Sequence, residues 1–93
     1  MAELLHEIWQ DDEECSHTLL QVSQHSDELI KKMSPNATIV HSFMAESDHQ
    51  AFQKNYDWHG WGKWKPEPGL DETFFSEEEA EEQRSYIAAR AIT

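Results

Sequence analysis

Cysteine is nearly absent: the 93 residues contain one, Cys15, so no disulfide can form within the chain. A lone thiol suits a reducing compartment, which predicts a cytoplasmic protein. Long apolar runs are also missing, and none approaches the ~20 residues that a membrane-spanning helix needs. The first ten residues, MAELLHEIWQ, lack the basic start and long apolar core of a signal peptide. We therefore expect neither a membrane anchor nor a secretory leader.

Basic residues are scarce, with seven Lys and Arg against 19 Asp and Glu, which gives a formal net charge of −12 at pH 7. Nucleic-acid binding depends on basic contacts to phosphates, so we expect no nucleic-acid partner. The acidic excess favours solubility and protein partners that are basic. A chain of this length forms one domain with a modest core.

The stretch from Thr38 to Trp64 organises the rest of the sequence. Residues 38–45 (TIVHSFMA) predict a strand that is covered on both faces, with Ile39 and Phe43 sharing one of them. Ser47 then begins an S-x-x-Q capping pattern that predicts a helix start. Gly60 supplies the left-handed conformation that commonly ends a helix.

The segment before it predicts a hairpin and a helix. Residues 3–10 fit either a strand or a short helix, and we favour a strand because an acidic turn at 11–14 and a second strand at 17–22 follow. Ser26 is a suitable N-cap for a helix over 27–33, whose charges match the helix dipole.

After Trp64 the sequence predicts a connector over 65–75, rich in proline, and then a helix from the capping box Ser76–Glu79 to about Ala91. The apolar face of this last helix is thin, so it either lies loosely on the domain or docks on another chain. We divide the chain into an α+β core domain at 1–64, the connector at 65–75 and an acidic C-terminal helix at 76–93. The fold class is α+β: a small β-β-α-β-α sheet with helices packed on one face, plus the trailing helix.

Several short motifs stand in a fixed order along the chain: LLHEIW at residues 4–9, then His41, Phe43 and Ala45, then Ser47, Ala51 and Tyr56, then Gly60, Trp61, Gly62 and Trp64. In these motifs the chain resembles a family of short uncharacterised bacterial proteins. The resemblance covers roughly two-thirds of the chain. It implies a domain that occurs as a free-standing small protein, and no activity, because the family has no assigned function.

Three of the four tryptophans lie within seven residues, at Trp58, Trp61 and Trp64. Indole rings bury large areas, so they either fasten the helix end to the sheet or form an aromatic surface for a ligand or partner. Together with Tyr56 they are the candidate ligand or partner surface.

A second candidate surface is acidic. Seven carboxylates lie between Asp71 and Glu82, and they form either a solvated helix face or a docking surface for a basic protein. The candidate residues of this surface are Glu77, Glu78, Glu79 and Glu82.

Six histidines raise the question of a metal site, but their spacing matches no zinc motif. Cys15 and His17 are too close to acidic residues to favour a reactive thiolate. We therefore expect no metal, no cofactor and no catalytic activity. The function predicted is that of a non-catalytic protein–protein interaction module that self-associates, as a homodimer through the trailing helix or the sheet edge. The alternative is a small-molecule-binding or regulatory domain that uses the tryptophan surface.

Overall fold

The computed structural model describes residues 2–90 of the chain. It contains one three-stranded antiparallel sheet and three helices, which confirms the α+β class and the predicted order of elements. The elements are β1 (Leu4–Asp11), β2 (Ser16–Gln21), α1 (Gln24–Met33), β3 (Thr38–Ala45), α2 (Asp48–His59) and α3 (Glu77–Arg90). The segment at residues 3–10 that fits either a strand or a helix is therefore largely a strand. No helix in the described part of the chain is long and apolar enough to cross a membrane.

β1 is the central strand, with β2 on one side and β3 on the other. It therefore carries most of the buried residues of the sheet, and Leu4 and Ile8 are fully buried. The β1–β2 turn is closed by the carboxylate of Asp11, which accepts from the amides of Glu13 and Glu14. The acidic turn is thus built around one buried carboxylate, while the other acidic side chains remain exposed.

The helices contact both faces of the sheet, whereas the sequence predicts them on one. On one face, His17 of β2 and His41 of β3 touch Trp58 of α2. On the other, Glu7 of β1 is bonded to Arg90 of α3, which also binds Asp27 of α1. Alternation along β1 explains the division, because His6 and Ile8 point to the α2 side while Glu7 points to the α1 and α3 side.

A register shift in β3 changes which side chains share a face. His41 lies opposite Ile8, but the next residue of β1, Trp9, lies opposite Ile39, so Val40 is the extra residue of a β-bulge. Ile39 consequently lies on the face opposite to Phe43, contrary to the prediction from simple alternation. β3 is also less covered than predicted, because it is an edge strand whose Ile39, Val40 and Met44 are exposed.

The helix ends follow the sequence closely, with one exception. The hydroxyl of Ser47 accepts from the Gln50 amide at the start of α2, and Gly60 ends that helix with φ 74°. At the start of α3, Ser76 and Glu79 exchange both hydrogen bonds of a capping box. The exception is α1, which begins three residues earlier than predicted because Ser23, rather than Ser26, is the N-cap.

α3 is held to the domain mainly by polar contacts. Its only buried side chains are Ala80, which packs with Ala2 and Leu4, and Gln83, which bonds to the backbone of Leu5 and Val22. Farther along the helix, Arg90 forms ion pairs with two carboxylates. The thin apolar face seen in the sequence is therefore supplemented by hydrogen bonds. The predicted helix end at Ala91 lies outside the described residues.

The core also contains a buried histidine. His6 is stacked against Phe43 at 5.6 Å and lies 5.8 Å from the ring of Phe75. Its Nδ1 lies 3.0 Å from the carbonyl of Leu4, so Nδ1 carries the proton and donates it. Nε2 has no partner among the described residues. Burial holds the pKa of His6 below its usual 6.5 and keeps the ring neutral.

We expect the buried His6 to make the folded chain less stable as pH decreases below about 6.5. Its pKa is lower in the folded chain than in the unfolded one, so only the unfolded chain takes up this proton just below pH 6.5. The stabilisation is complete above pH 6.5 and is lost as pH falls below that value. Urea unfolding of the wild type and of His6→Phe across this range measures the effect. The stability of His6→Phe should depend less on pH, whereas His25→Asn, at an exposed histidine of α1, should behave as the wild type; equal slopes for all three would contradict the assignment.

Candidate functional site

Two of the side chains predicted to form the tryptophan surface are exposed. Trp58 near the end of α2 is 39% exposed, and Trp61, just beyond the Gly60 cap, is 59% exposed. Tyr56 is half-buried and meets the edge of Trp61 at 5.3 Å. These rings are therefore partly accessible to solvent at the end of α2.

Histidines from three elements complete this surface. His41 of β3 stacks on Trp58 at 5.5 Å with an interplanar angle of 10°. The ring of His17 in β2 meets two rings edge-on: its centroid lies 5.7 Å from that of Trp58 and 5.0 Å from that of His59. His59 in turn stacks on Trp61 at 3.8 Å. Aromatic rings in these offset and edge-to-face arrangements stabilise one another, so the surface is pre-formed.

His59 is kept uncharged at neutral pH. Partial burial lowers its pKa from the usual 6.5, and the neighbouring His17 lowers it further. A proton on one imidazole disfavours a proton on the other at this distance. The His59 ring that stacks on Trp61 is therefore neutral near pH 7.

Trp64 belongs to a separate group on the same helix. Its ring lies 4.9 Å from Phe52 and 5.1 Å from His49, and its backbone amide donates to the side chain of Gln53. These contacts fold residues 62–64 back along α2 and leave Trp64 half-buried. Of the predicted surface residues, Trp64 thus serves mainly to position the segment that carries Trp61.

The net charge of the chain lies outside residues 38–65, where positive and negative side chains balance. Residues 38–65, which comprise β3, α2 and the segment after it, have a formal charge of zero. Their three carboxylates and three ammonium groups are Glu46, Asp48, Asp57, Lys54, Lys63 and Lys65. The entire −12 therefore lies outside it, as −6 in residues 1–37 and −6 in residues 66–93.

The same region holds most of the exposed apolar side chains. Ten large hydrophobic residues are exposed in the described part of the chain, and six of them lie within residues 38–65. They are Ile39, Val40, Met44, Phe52, Trp58 and Trp61. We call the exposed side chains of residues 38–65 the neutral surface. Trp58 stacks on His41 on one face of the sheet, whereas Ile39 and Met44 lie opposite Trp9 and Leu5 on the other face, so the neutral surface includes side chains from both faces at the β3 edge.

The predicted acidic surface lies on α3 and is separate. Glu77, Glu78, Glu79 and Glu82 are all exposed, as expected. Glu79 is partly engaged by the capping box of its own helix. Glu79 and Glu82 also border a shallow cleft of about 300 Å³ between α3 and residues 21–24. No contact joins any of these four side chains to the aromatic rings in the described residues.

Other candidate chemistry is weak. Within residues 2–90, no group of three or more histidine, cysteine or acidic side chains could hold a metal ion. Cys15 is exposed, has φ 54° and directs its thiol towards the carbonyl of Asp12 at 3.7 Å. His17 is turned away to the tryptophan surface, so no nucleophile–base pair forms at this position.

Comparison with known proteins adds no assignment: no family model, no curated protein and no solved structure matches this chain. The function must therefore be inferred from the geometry of the molecule.

The sequence identified the tryptophans but not their histidine partners. His17 and Trp58 are far apart along the chain and meet only because β2 and α2 share one face of the sheet. The only signal available in the sequence is the high number of histidines, which does not indicate their positions.

Proposed function

We propose that this chain is a small, non-catalytic protein–protein interaction module of the cytoplasm, and that the neutral surface is its binding surface. The proposal rests on one observation: the part of the chain with most of the exposed hydrophobic side chains is also the part with no net charge. Six exposed hydrophobic side chains and a zero formal charge occur in the same 28-residue region, 38–65, of a chain whose charge is −12.

Binding energetics support this assignment. Protein interfaces are enriched in exposed tryptophan and tyrosine and depleted in charge at their centre. Trp58 and Trp61 are held by stacked imidazoles, so little side-chain entropy is lost when a partner covers them. A cytoplasmic location is supported by the single, exposed Cys15.

The alternative function is small-molecule binding on the same rings. It is supported by Trp61, which is the most exposed of the four tryptophans. It is less well supported because Trp58 and Trp61 line neither of the two clefts described for this molecule. One of these clefts, about 460 Å³, is lined by Trp9, Ile30 and Tyr86.

Site-specific photocrosslinking in cells tests the proposal. A benzophenone amino acid in place of Trp61 should give crosslinks to protein. The same group in place of Leu70 should not, although Leu70 is 54% exposed, because it lies outside the neutral surface. Equal yields at both positions, or no protein crosslink at Trp61, would contradict the proposal. A small-molecule site would instead give low-mass adducts at Trp61.

A further inference from the structure

The outer edge of β3 is open along the neutral surface. β1 is the only strand that pairs with β3 in residues 2–90. The amide of Leu5 donates to Gln83, and its carbonyl accepts from Val22 and Gln83, so the polar groups of Leu5 point away from β3. In an antiparallel ladder, the residue opposite such a position also turns its polar groups away. Met44 lies opposite Leu5, and its amide and carbonyl therefore face the outer edge.

The same alternation places the amide and carbonyl of Ser42 at the outer edge, two residues from Met44. The ammonium of Lys54 donates to the carbonyl of Met44, which agrees with this direction and covers one end of the edge. The edge is thus a row of backbone donors and acceptors that lack a strand partner.

Protective features are few along this edge. Native proteins usually shield an edge strand with charged side chains, proline, a bulge or short length. β3 has eight residues, TIVHSFMA, with no proline, no carboxylate and no lysine or arginine. Three protective features are present: the bulge at Val40, the side chain of Lys54 and residues 74–75. Just beyond the C-terminal end of β3, Phe74 pairs with Ser47 and the Phe75 amide donates to the carbonyl of Glu46, so the open part of the edge ends at Ala45. Ile39 is 45% exposed and Met44 is 41% exposed on the face that also carries Leu5 and Trp9.

We propose that β3 pairs antiparallel with β3 of a second copy of this chain, so that two three-stranded sheets join into one of six strands. This rests on the proposed function and names its first partner. Identical strands satisfy one another when they pair about a twofold axis. Backbone hydrogen bonds supply the pairing, and the exposed side chains of β3 supply the apolar contact.

The distribution of charge selects a second copy over a basic peptide. Two chains of charge −12 repel one another through most of their surfaces, but residues 38–65 have a formal charge of zero. Contact through β3 therefore brings together two regions of zero formal charge. Residues 72–75 of the −6 segment 66–93 reach Glu46 and Ser47, just beyond the end of β3. A basic strand would find no attractive charge on β3 itself and would be drawn to α3 or the β1–β2 turn instead.

Light scattering after size exclusion, at low and high protein concentration, tests the pairing. The wild type should approach twice its chain mass of 10.9 kDa at high concentration. Ser42→Pro removes an outward amide without removing a bond to β1, and proline is tolerated at such edge positions. We expect it to weaken the dimer about tenfold or more, which corresponds to ~1.4 kcal/mol. Ser42→Ala keeps the amide and should behave as the wild type.

A second pair of variants does not alter the backbone and covers the case in which Ser42→Pro fails to fold. Ile39→Lys places a charge on the joined face and should weaken the dimer, whereas Leu70→Lys, at a more exposed position outside the neutral surface, should not. A wild type that stays monomeric at high concentration overturns the pairing, as does a dimer that neither Ser42→Pro nor Ile39→Lys weakens. Either result leaves the proposed function standing if Trp61 still crosslinks to another protein.

Discussion

Arg90→Met should destabilise the fold by about 3 kcal/mol, because it leaves a buried carboxylate without its cation. The guanidinium of Arg90 binds Glu7 through two parallel hydrogen bonds of 2.7 and 2.9 Å, and its Nε lies 2.9 Å from Asp27. The side chain of Glu7 is only 7% exposed, so water cannot replace the lost partner. These bonds raise the pKa of Arg90 above its usual value and keep it fully charged.

Urea unfolding of matched variants measures this effect. Arg84→Met removes the same charge from an exposed position of α3 and should change stability by less than about 0.5 kcal/mol. The double variant Glu7→Gln/Arg90→Met should be more stable than Arg90→Met alone, because the more deeply buried of the two carboxylates that Arg90 binds is no longer charged. If Arg90→Met and Arg84→Met have equal stability, the ion pairs do not hold α3 to the sheet.

Gln83→Leu should have the second-largest effect, a loss of about 2–3 kcal/mol. Gln83 is buried, and its amide oxygen accepts from the Leu5 amide at 2.7 Å. Its nitrogen donates to the carbonyls of Leu5 and Val22 at 2.9 and 3.0 Å. One side chain therefore completes the hydrogen bonding at the end of the β1–β2 ladder, and leucine of similar size would leave the Leu5 amide unpaired.

The control for this prediction is Glu81→Leu, which places the same residue at an exposed position of α3. It should change stability by no more than about 0.5 kcal/mol. Gln83→Glu offers a further check, because an ionised carboxylate can accept from the Leu5 amide but cannot donate to the two carbonyls. Its stability should therefore rise as pH falls and the carboxyl becomes protonated. A Gln83→Leu variant as stable as the wild type would show that the ladder end has other partners.

Local signals in the sequence predicted local structure well. The pattern around Ser47 gave the correct start of α2, the Ser76–Glu79 pair gave the start of α3, and Gly60 marked the end of α2. Each of these features depends on hydrogen bonds within about four residues, so the residue types alone are informative. The N-cap of α1 was wrong because Ser23 and Ser26 are both capable of the role, and spacing does not distinguish them.

Contacts between distant residues were not predictable in the same way. Gln83 is 78 residues from Leu5 and Arg90 is 83 residues from Glu7, so nothing nearby in the sequence indicates either partner. The bulge at Val40 likewise depends on how β3 pairs with β1, and it reverses the face on which Ile39 lies. The exposure of β3 follows from its place at the edge of the sheet, which alternation cannot indicate.

The candidate site was predicted in part. The density of tryptophan between residues 58 and 64 predicts a surface made of Tyr56, Trp58, Trp61 and Trp64. In the structure, Trp58 and Trp61 are exposed. The neutrality of residues 38–65 could have been read from the sequence, since it requires only the positions of charged residues. Its coincidence with exposed hydrophobic side chains required the structure.

Amide hydrogen exchange of β3, followed by NMR at low and high protein concentration, tests the central claim most directly. That claim is that the neutral surface binds protein, and that its first partner is a second copy of the chain, bound through the edge of β3. The amides of Ser42 and Met44 face outward, whereas those of His41 and Phe43 face β1. We predict that exchange at Ser42 and Met44 slows as concentration rises, while exchange at His41 and Phe43 is slow throughout. Exchange at Ser42 and Met44 that stays fast at every concentration would contradict the claim that this edge is an interface between copies.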